Sequence, residues 1–188
     1  PQDIRLIFEI TSPPLSTIIR IINKRSINLY TEQVLAAVGS ELGEASTDNG
    51  IAVIRDFYKT QNLHSDGMRL GDGSGLSRNN MISAQSITSI LSYMTGSRYF
   101  GAYYDSFPVA GDTADIGGFK RFGLGTPIAM NARIKSGTIN GVRAFSGYIN
   151  NKKGERVAFS FLVNNYTGRS AAVDNFYKQL LLELYNSN

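Results

Sequence analysis

Cysteine is missing from this chain of 188 residues, and histidine occurs once. The missing cysteine excludes a disulfide, a thiolate nucleophile and a zinc site of the cysteine type, and it leaves the redox compartment open. The single His64 permits a Ser-His-Asp triad only formally, because it lies in a polar segment without a nucleophile elbow. We interpret it as a surface residue, and the sequence predicts no metal site and no cofactor.

Long apolar runs and a strong charge excess are missing as well. No run reaches the roughly 18 apolar residues of a membrane span, and the first residues lack the basic-then-apolar pattern of a signal peptide. We therefore expect the chain to begin within a longer protein or to have lost its export signal. Nineteen Lys and Arg stand against fifteen Asp and Glu, a net charge of +4. The basic residues are scattered singly or in short pairs, which argues against nucleic acid as a partner.

The composition that is present is that of an ordinary globular protein, with 42% hydrophobic, 11% aromatic and 18% charged residues. The length suits one domain, or the larger piece of one. No internal repeat, low-complexity segment or linker divides the chain. We therefore treat residues 1–188 as one folded unit.

Hydrophobic spacing predicts helices in the first part of the chain. After an expected strand at residues 3–10, apolar residues recur at helical spacing from Leu15 to Ile22. Further helices are predicted at about 29–42, 51–58 and 83–94, with Ser83 as the amino-terminal cap of the last. The glycine-rich residues 111–125 are expected to be irregular.

The last third of the chain has the period of β-strands. Three strand-like runs at residues 131–138, 142–150 and 157–163 are joined by Asn140-Gly141 and Lys152-Lys153-Gly154, which are both hairpin signals. An amphipathic helix at 171–185 follows. The sequence predicts an α+β fold, with a helical lobe at about 15–110 and a mostly antiparallel sheet plus closing helix at about 131–186.

Two short segments carry side chains suited to chemistry. Ser26-Ile27-Asn28 lies at the junction of two predicted helices, where a hydroxyl and an amide can face one cleft, although a serine there is more often a cap. Lys135-Ser136-Gly137-Thr138 lies in the first predicted strand and offers a cation for a substrate carboxylate, a hydroxyl donor and a glycine that permits close approach. Alone, this second segment is more typical of a surface lysine near a turn.

A third segment, Asp72-Gly73-Ser74-Gly75-Leu76-Ser77-Arg78-Asn79-Asn80, is rich in glycine and small polar residues. Its spacing fits neither a dinucleotide-binding fingerprint nor a phosphate-binding loop of the Walker type. We interpret Asp72, Ser74 and Arg78 as residues of a cleft wall or of its scaffold.

Taken together and in this order, the three segments resemble the class C penicillin-binding proteins, which are serine-type D-alanyl-D-alanine carboxypeptidases and endopeptidases of the peptidase S13 family. The resemblance extends over nearly the whole chain and implies a β-lactamase/transpeptidase-like fold, of which the chain would be the carboxy-terminal portion, an incomplete domain. It also implies a periplasmic or secreted protein of the bacterial envelope. The expected partners are a peptidoglycan stem peptide ending in D-Ala-D-Ala and, as inhibitors of the intact enzyme, β-lactams.

The resemblance also implies roles for individual residues. Ser26 would relay a proton and Asn28 would hold the substrate amide. Lys135 and Ser136 would bind the terminal carboxylate. The backbone N–H of Thr138, next to Gly137, would contribute to the oxyanion hole. Ser136 stands where the family usually has threonine, a change that keeps the hydroxyl.

The acylated serine of the family belongs to a Ser-x-x-Lys motif, and that motif is absent here. The residues three positions before the lysines are Ile21, Asp56, Gly117, Ala132, Ile149, Asn150 and Asn175. We therefore expect the nucleophile to lie outside this chain and the 188 residues alone to be inactive.

Two alternatives remain open at this point. The chain is compatible with a non-catalytic peptidoglycan- or peptide-binding module of the same fold, which keeps the lysine but never had a nucleophile. A class A or class C β-lactamase shares the Lys-Ser/Thr-Gly strand, but the segment at residues 72–77 favours the carboxypeptidase family. An incomplete domain would expose an uncovered surface, so we also expect self-association.

Overall fold

Helices occupy the first part of the chain and three strands the last third. The computed structural model describes residues 7–187. In chain order, the elements are α1 (Leu15–Arg25), α2 (Asn28–Gly39), a 3-10 turn (Ser40–Leu42), α3 (Thr47–Thr60), α4 (Ala84–Thr95), α5 (Phe100–Ser106), β1 (Ala132–Ile139), β2 (Val142–Asn150), β3 (Arg156–Asn164) and α6 (Ser170–Asn186). This order confirms the predicted α+β architecture.

Local sequence explains where the helices begin. Ser83 Oγ accepts a hydrogen bond from the N–H of Ser86 at 2.9 Å, so the predicted cap of α4 is confirmed. Ser46 caps α3 in the same way, through the N–H of Asn49 at 3.3 Å. Helices α2 and α3 approach closely at Gly50, where an added Cβ would lie 2.1 Å from the carbonyl oxygen of Leu35. Only glycine fits at that crossing.

The three strands form an antiparallel sheet in the order β1-β2-β3. The turn between β1 and β2 is the predicted Asn140-Gly141 pair, since Ile139 is paired with Val142. Gly141 has φ of 75°, a conformation that the two-residue hairpin requires and that glycine adopts without strain. In the same register Ser136 lies opposite Phe145, and Lys135 lies opposite Ser146.

Helices cover both faces of the sheet. On one face α6 buries Tyr177 and Leu181 against Phe145, in a core to which the segment between α5 and β1 adds Phe119 and Ile128. On the other face Tyr148 packs in a second core, which includes Leu91 of α4, and donates a hydrogen bond from its hydroxyl to the Leu91 carbonyl at 2.7 Å. The alternation of β2, with one side chain toward each core, accounts for this layering.

The expected strand at residues 3–10 is not found in the part that the structure describes. Residues 3–6 lie outside the described range, and residues 7–14 have no regular secondary structure. Ile7 and Phe8 are exposed, and a strand needs a hydrogen-bonded neighbour that none of residues 7–187 provides to this segment. Between residues 7 and 187 we find no helix whose length and apolarity would let it cross a bilayer.

Candidate active site

Ser26 and Lys135 meet although 109 positions separate them in sequence. Ser26 follows the last residue of α1 and has the left-handed φ of 54°, which turns the chain into α2. Lys135 lies in the middle of β1. Its ammonium Nζ donates to Ser26 Oγ at 2.9 Å and to the carbonyl of Ser136 at 2.8 Å. The lysine thus joins the junction of two helices to the edge of the sheet.

Burial shapes the acid–base chemistry of this contact. Desolvation lowers the pKa of the Lys135 ammonium below its ordinary value of 10.5, because the charged form loses hydration. A lysine with a lowered pKa, hydrogen-bonded to a hydroxyl, can either donate to an anionic ligand or take part in proton transfer. The contact with Ser26 Oγ suits the second use.

Of the other predicted residues, Ser136 lies beside this contact, whereas Asn28 is close to it in sequence and lines neither cavity. Ser136 lines a small cavity of about 150 Å³ together with Ser26 and Lys135. Asn28 is the first residue of α2 and has an exposed side chain, so its amide is available two positions beyond Ser26.

A larger cavity of about 940 Å³ lies next to the carboxyl-terminal half of β1. Gly137 and Thr138 line it on the sheet side, and Asp72 and Arg78 line it on the loop side. Ser74, in contrast, is not among the lining residues, and its backbone N–H is directed toward α2. The structure therefore brings two of the three predicted wall residues to a cleft that Thr138 also borders.

Two carboxylates hold the loop at residues 72–80 in place. Asp72 accepts from the N–H groups of Gly75 at 2.8 Å and Ser77 at 2.6 Å and from the Asn80 amide at 2.7 Å. Partial burial raises the pKa of the Asp72 carboxyl, but these hydrogen bonds outweigh it and the net pKa is below the ordinary value. The loop is thereby an internally hydrogen-bonded structure.

Glu32, which the sequence reasoning missed, ties this loop to α2. Its carboxylate accepts from the N–H of Gly73 at 3.0 Å and from the N–H of Ser74 at 2.9 Å. Burial raises the pKa of the Glu32 carboxyl, and the bonds from Ser74 and Gly73 more than offset this, so the pKa is lowered. The only local signal was its place one turn after Asn28 on the same helix.

Arg143 was also missed as a neighbour of the site. It lies opposite Thr138 on β2 and donates to the Thr138 hydroxyl, while its Nε and Nη2 contact the Asp174 carboxylate of α6 at 2.7 Å and 2.9 Å. The bidentate pair links α6 to β2, and the bond to the Thr138 hydroxyl continues the connection to β1, which carries the predicted oxyanion donor.

Within residues 7–187, no cluster of three or more His, Cys, Asp or Glu side chains is arranged to hold a metal ion. His64 lies in the loop after α3, partly exposed.

Comparison with solved structures defines the class of protein. Penicillin binding protein 4 (dacB) from Haemophilus influenzae superposes with a TM-score of 0.84 at 28% identity, over 93% of this chain and 40% of that chain. The same protein has been solved in complex with a β-lactam. The TLA-1 extended spectrum β-lactamase shares the fold, with a TM-score of 0.63 at 13% identity, over 92% of this chain and 64% of that chain. The fold is thus of the β-lactamase and penicillin-binding class.

The family is narrower than this class. A sequence model of the D-Ala-D-Ala carboxypeptidase 3 (S13) family matches residues 1–181, and the chain belongs to that family. The D-alanyl-D-alanine carboxypeptidase DacB of Haemophilus influenzae is 30% identical over 98% of this chain and 40% of its own length. The chain therefore spans two fifths or less of the length of these curated relatives, 40% of this one and 31% of the D-alanyl-D-alanine carboxypeptidase of Actinomadura sp..

Proposed function

We propose that this chain is part of a serine-type D-alanyl-D-alanine carboxypeptidase or endopeptidase that cleaves peptidoglycan stem peptides through an acyl-enzyme. The observation that carries the proposal is the 2.9 Å contact between Lys135 Nζ and Ser26 Oγ. It joins a cation suited to a carboxylate with a hydroxyl suited to proton transfer, in a chain of the S13 family. The nucleophilic serine would come from outside these 188 residues.

The residues around the contact would divide the work. Lys135 and Ser136 would bind the carboxylate of the terminal D-alanine, because a carboxypeptidase must recognise a free chain end. Ser26 would pass the proton released by the nucleophile to the leaving nitrogen. Asn28, exposed at the start of α2, would hold the amide of the stem peptide.

The edge of β1 supplies the donor for the oxyanion. Residues of an antiparallel strand direct their N–H groups alternately to one side and the other. The N–H of Ile134 faces away from β2, since it donates to Pro108 at 2.9 Å. Thr138, four residues further on, has the same parity and presents its N–H at this edge, where it lines the larger cavity with Gly137. An oxyanion would lie within about 3 Å of that N–H.

The reaction balances with these groups and one external serine. The serine oxygen would form an ester with the carbonyl carbon of the penultimate D-alanine, and the peptide bond to the terminal D-alanine would break. The serine proton would leave on the amine of the released D-alanine. Water would then hydrolyse the ester and restore the serine.

Covalent labelling with a fluorescent penicillin tests this function. We expect the polypeptide that carries this chain together with a Ser-x-x-Lys segment to be labelled, and the 188-residue chain alone to remain unlabelled. A Ser26→Ala variant of the complete polypeptide should be labelled more slowly, because it lacks the proposed proton relay. Labelling of the 188 residues alone would contradict an external nucleophile, and an unlabelled complete polypeptide would contradict the function.

A non-catalytic peptide-binding module is the second candidate, and one observation favours it. No lysine of the chain is preceded by serine at the third position before it. The coding sequence ahead of Pro1 distinguishes the two. A Ser-x-x-Lys motif in the same reading frame supports the enzyme, and its absence supports the binding module.

We further propose that residues 1–188 are the carboxy-terminal portion of one penicillin-binding transpeptidase-like domain in the bacterial envelope, periplasmic or secreted. The helical lobe would extend over about 15–110, and the sheet with its closing helix over about 131–186. Stem peptides ending in D-Ala-D-Ala would be its substrates and β-lactams its inhibitors. The β-lactam complex of the Haemophilus influenzae protein supports the second assignment.

The 188-residue chain by itself should self-associate. Met81 and Ile82 border the larger cavity and are 55% and 38% exposed, so apolar surface lies open beside the sheet. Sedimentation velocity at increasing concentration should show species heavier than the monomer. A Met81→Gln/Ile82→Gln variant should shift the distribution toward the monomer. A strictly monomeric parent chain at all concentrations would contradict the expectation.

A further inference from the structure

Lys24 and Asp115 form a buried ion pair beside the site, and none of the proposed steps uses it. The ammonium of Lys24 contacts both oxygens of Asp115, at 2.9 Å and 2.8 Å. The two side chains are only 6% and 3% exposed. Two charges removed from water to this degree need further polar partners, and such a pair rarely adds stability over well-packed apolar residues. A geometric role accounts for such a pair better than a contribution to stability does.

Asp115 has the further partners that such burial requires. Its Oδ2 accepts from the N–H of Val109 at 2.6 Å, and its Oδ1 accepts from the N–H of Gly117 at 3.0 Å. Burial raises the pKa of the Asp115 carboxyl, but the hydrogen bonds from Lys24, Val109 and Gly117 lower it by more. The net pKa is below the ordinary value, so the carboxylate is ionised. The carboxylate fixes both the segment before it and the turn after it.

The segment that Asp115 holds is attached directly to β1. Val109 forms a bridge with Arg133, and the carbonyl of Pro108 accepts from the N–H of Ile134 at 2.9 Å. Lys135 is the next residue of the strand. At the other end of the pair, Lys24 lies in the last turn of α1, two residues before Ser26.

These contacts close a ring that borders the small cavity. The ring runs from Ser26 to Lys135, back along β1 to Pro108 and Val109, across Asp115 to Lys24, and along α1 to Ser26. Four members of the ring, Lys24, Ser26, Pro108 and Lys135, line this cavity of about 150 Å³. Ser26 adopts a left-handed conformation that is costly for serine and that surrounding contacts must maintain.

We propose that the Lys24–Asp115 ion pair is a positioning device that sets the separation between Ser26 and Lys135. It holds the end of α1 and strand β1 at one distance, so that the hydroxyl and the ammonium stay in contact before substrate arrives. The expected loss of acylation rests on the proposed function. The effect of the ion pair on the Ser26–Lys135 distance does not.

The double variant Lys24→Met/Asp115→Asn tests the device in the complete polypeptide. It leaves no unpaired charge, and the new amide oxygen still accepts a backbone N–H. We expect the fold to persist by circular dichroism and the acylation rate with a fluorescent penicillin to fall about 10²-fold, since a displacement of about 1 Å at a reacting centre has this effect. On a peptide ending in D-Ala-D-Ala we expect kcat to fall and KM to rise, because Ser26 is the proposed proton relay and Lys135 the proposed carboxylate ligand.

A second measurement is independent of the enzyme activity. The reactivity of the Lys135 amine toward a water-soluble acylating reagent is followed by peptide mass spectrometry at a pH above 10.5, where the amine is neutral in parent and variant alike. It should rise severalfold in the double variant because the amine loses Ser26 and gains solvent. Asp105→Asn is the matched control. It neutralises an exposed carboxylate 3.2 Å from Arg133 of the same strand and should leave Lys135 reactivity and acylation unchanged.

The outcomes are distinguishable. Parental Lys135 reactivity and parental acylation in the double variant would overturn the positioning proposal. Two results together would support the positioning device and refute the proposed function. They are raised Lys135 reactivity in the double variant and no acylation of the unsubstituted polypeptide by penicillin. If the double variant does not fold, two single variants replace it. Lys24→Arg keeps the charge and a similar side-chain length, so Lys135 reactivity should stay at the parental value. Lys24→Gln removes the charge, so Lys135 reactivity should rise.

Discussion

Replacing Lys135 by methionine should lower kcat/KM on a peptide ending in D-Ala-D-Ala by about 30- to 5000-fold in the complete polypeptide. The range follows because truncating one partner of a hydrogen-bonded charge pair, once bound substrate buries it, costs about 2–5 kcal/mol, and about 1.4 kcal/mol corresponds to a factor of ten. Methionine has a similar length but neither charge nor donor, so the terminal carboxylate and Ser26 Oγ both lose their partner. Steady-state kinetics and the acylation rate with a fluorescent penicillin measure the change.

Lys120→Met is the matched control for this prediction, because Lys120 is an exposed lysine outside both cavities. It should keep the parental kcat/KM. A Lys135→Met variant that also keeps it, within about twofold, would remove Lys135 from the proposed mechanism.

The pH dependence gives Lys135 a second signature. Burial lowers its pKa below 10.5, and the ammonium that binds a carboxylate is present only below the pKa. Affinity for the substrate should therefore be complete at low pH and weaken as the pH rises through this lowered pKa, so KM should increase on the alkaline side. Lys135→Arg stays charged at any accessible pH and should lose this alkaline increase, whatever its absolute activity.

Phe145→Ala should destabilise the fold by about 3–5 kcal/mol, the usual cost of removing a buried phenylalanine side chain. Phe145 has no exposed surface and lies at the centre of an aromatic cluster, with ring centroids 5.1 Å from Phe119, 5.6 Å from Phe122 and 5.0 Å from Tyr177. The loss is a large fraction of the roughly 5–15 kcal/mol that typically stabilises a domain. Urea unfolding of the complete polypeptide measures it.

The loss of packing in the Phe145→Ala variant should also disturb the active site, since Phe145 is the cross-strand partner of Ser136. Phe176→Ala is the matched control on α6, where the side chain is 56% exposed, and should change the free energy of unfolding by no more than about 0.5 kcal/mol. Equal effects of the two substitutions would contradict the assignment of Phe145 to the core.

Periodic and turn-forming sequence predicted most of the fold. The alternation along β2 and the Asn140-Gly141 turn are local properties, and they were sufficient to predict the antiparallel meander that the structure shows. Helical spacing and the cap at Ser83 likewise predicted α4. The strand expected at residues 3–10 was wrong for its described part, because alternation marks a residue pattern but cannot supply a neighbouring strand.

For the candidate site, the sequence by itself determined which residue types are present and the motif order that identifies the S13 family. That Ser26 and Lys135 touch across 109 positions, and that Lys24 and Asp115 pair across 91, was decided by the tertiary structure. Helix and strand periods relate residues a few positions apart, whereas these contacts depend on how α1, the segment before β1 and the sheet pack together. Glu32 is a further example. Local sequence places it on α2, but only the tertiary structure brings its carboxylate to the loop at residues 72–80.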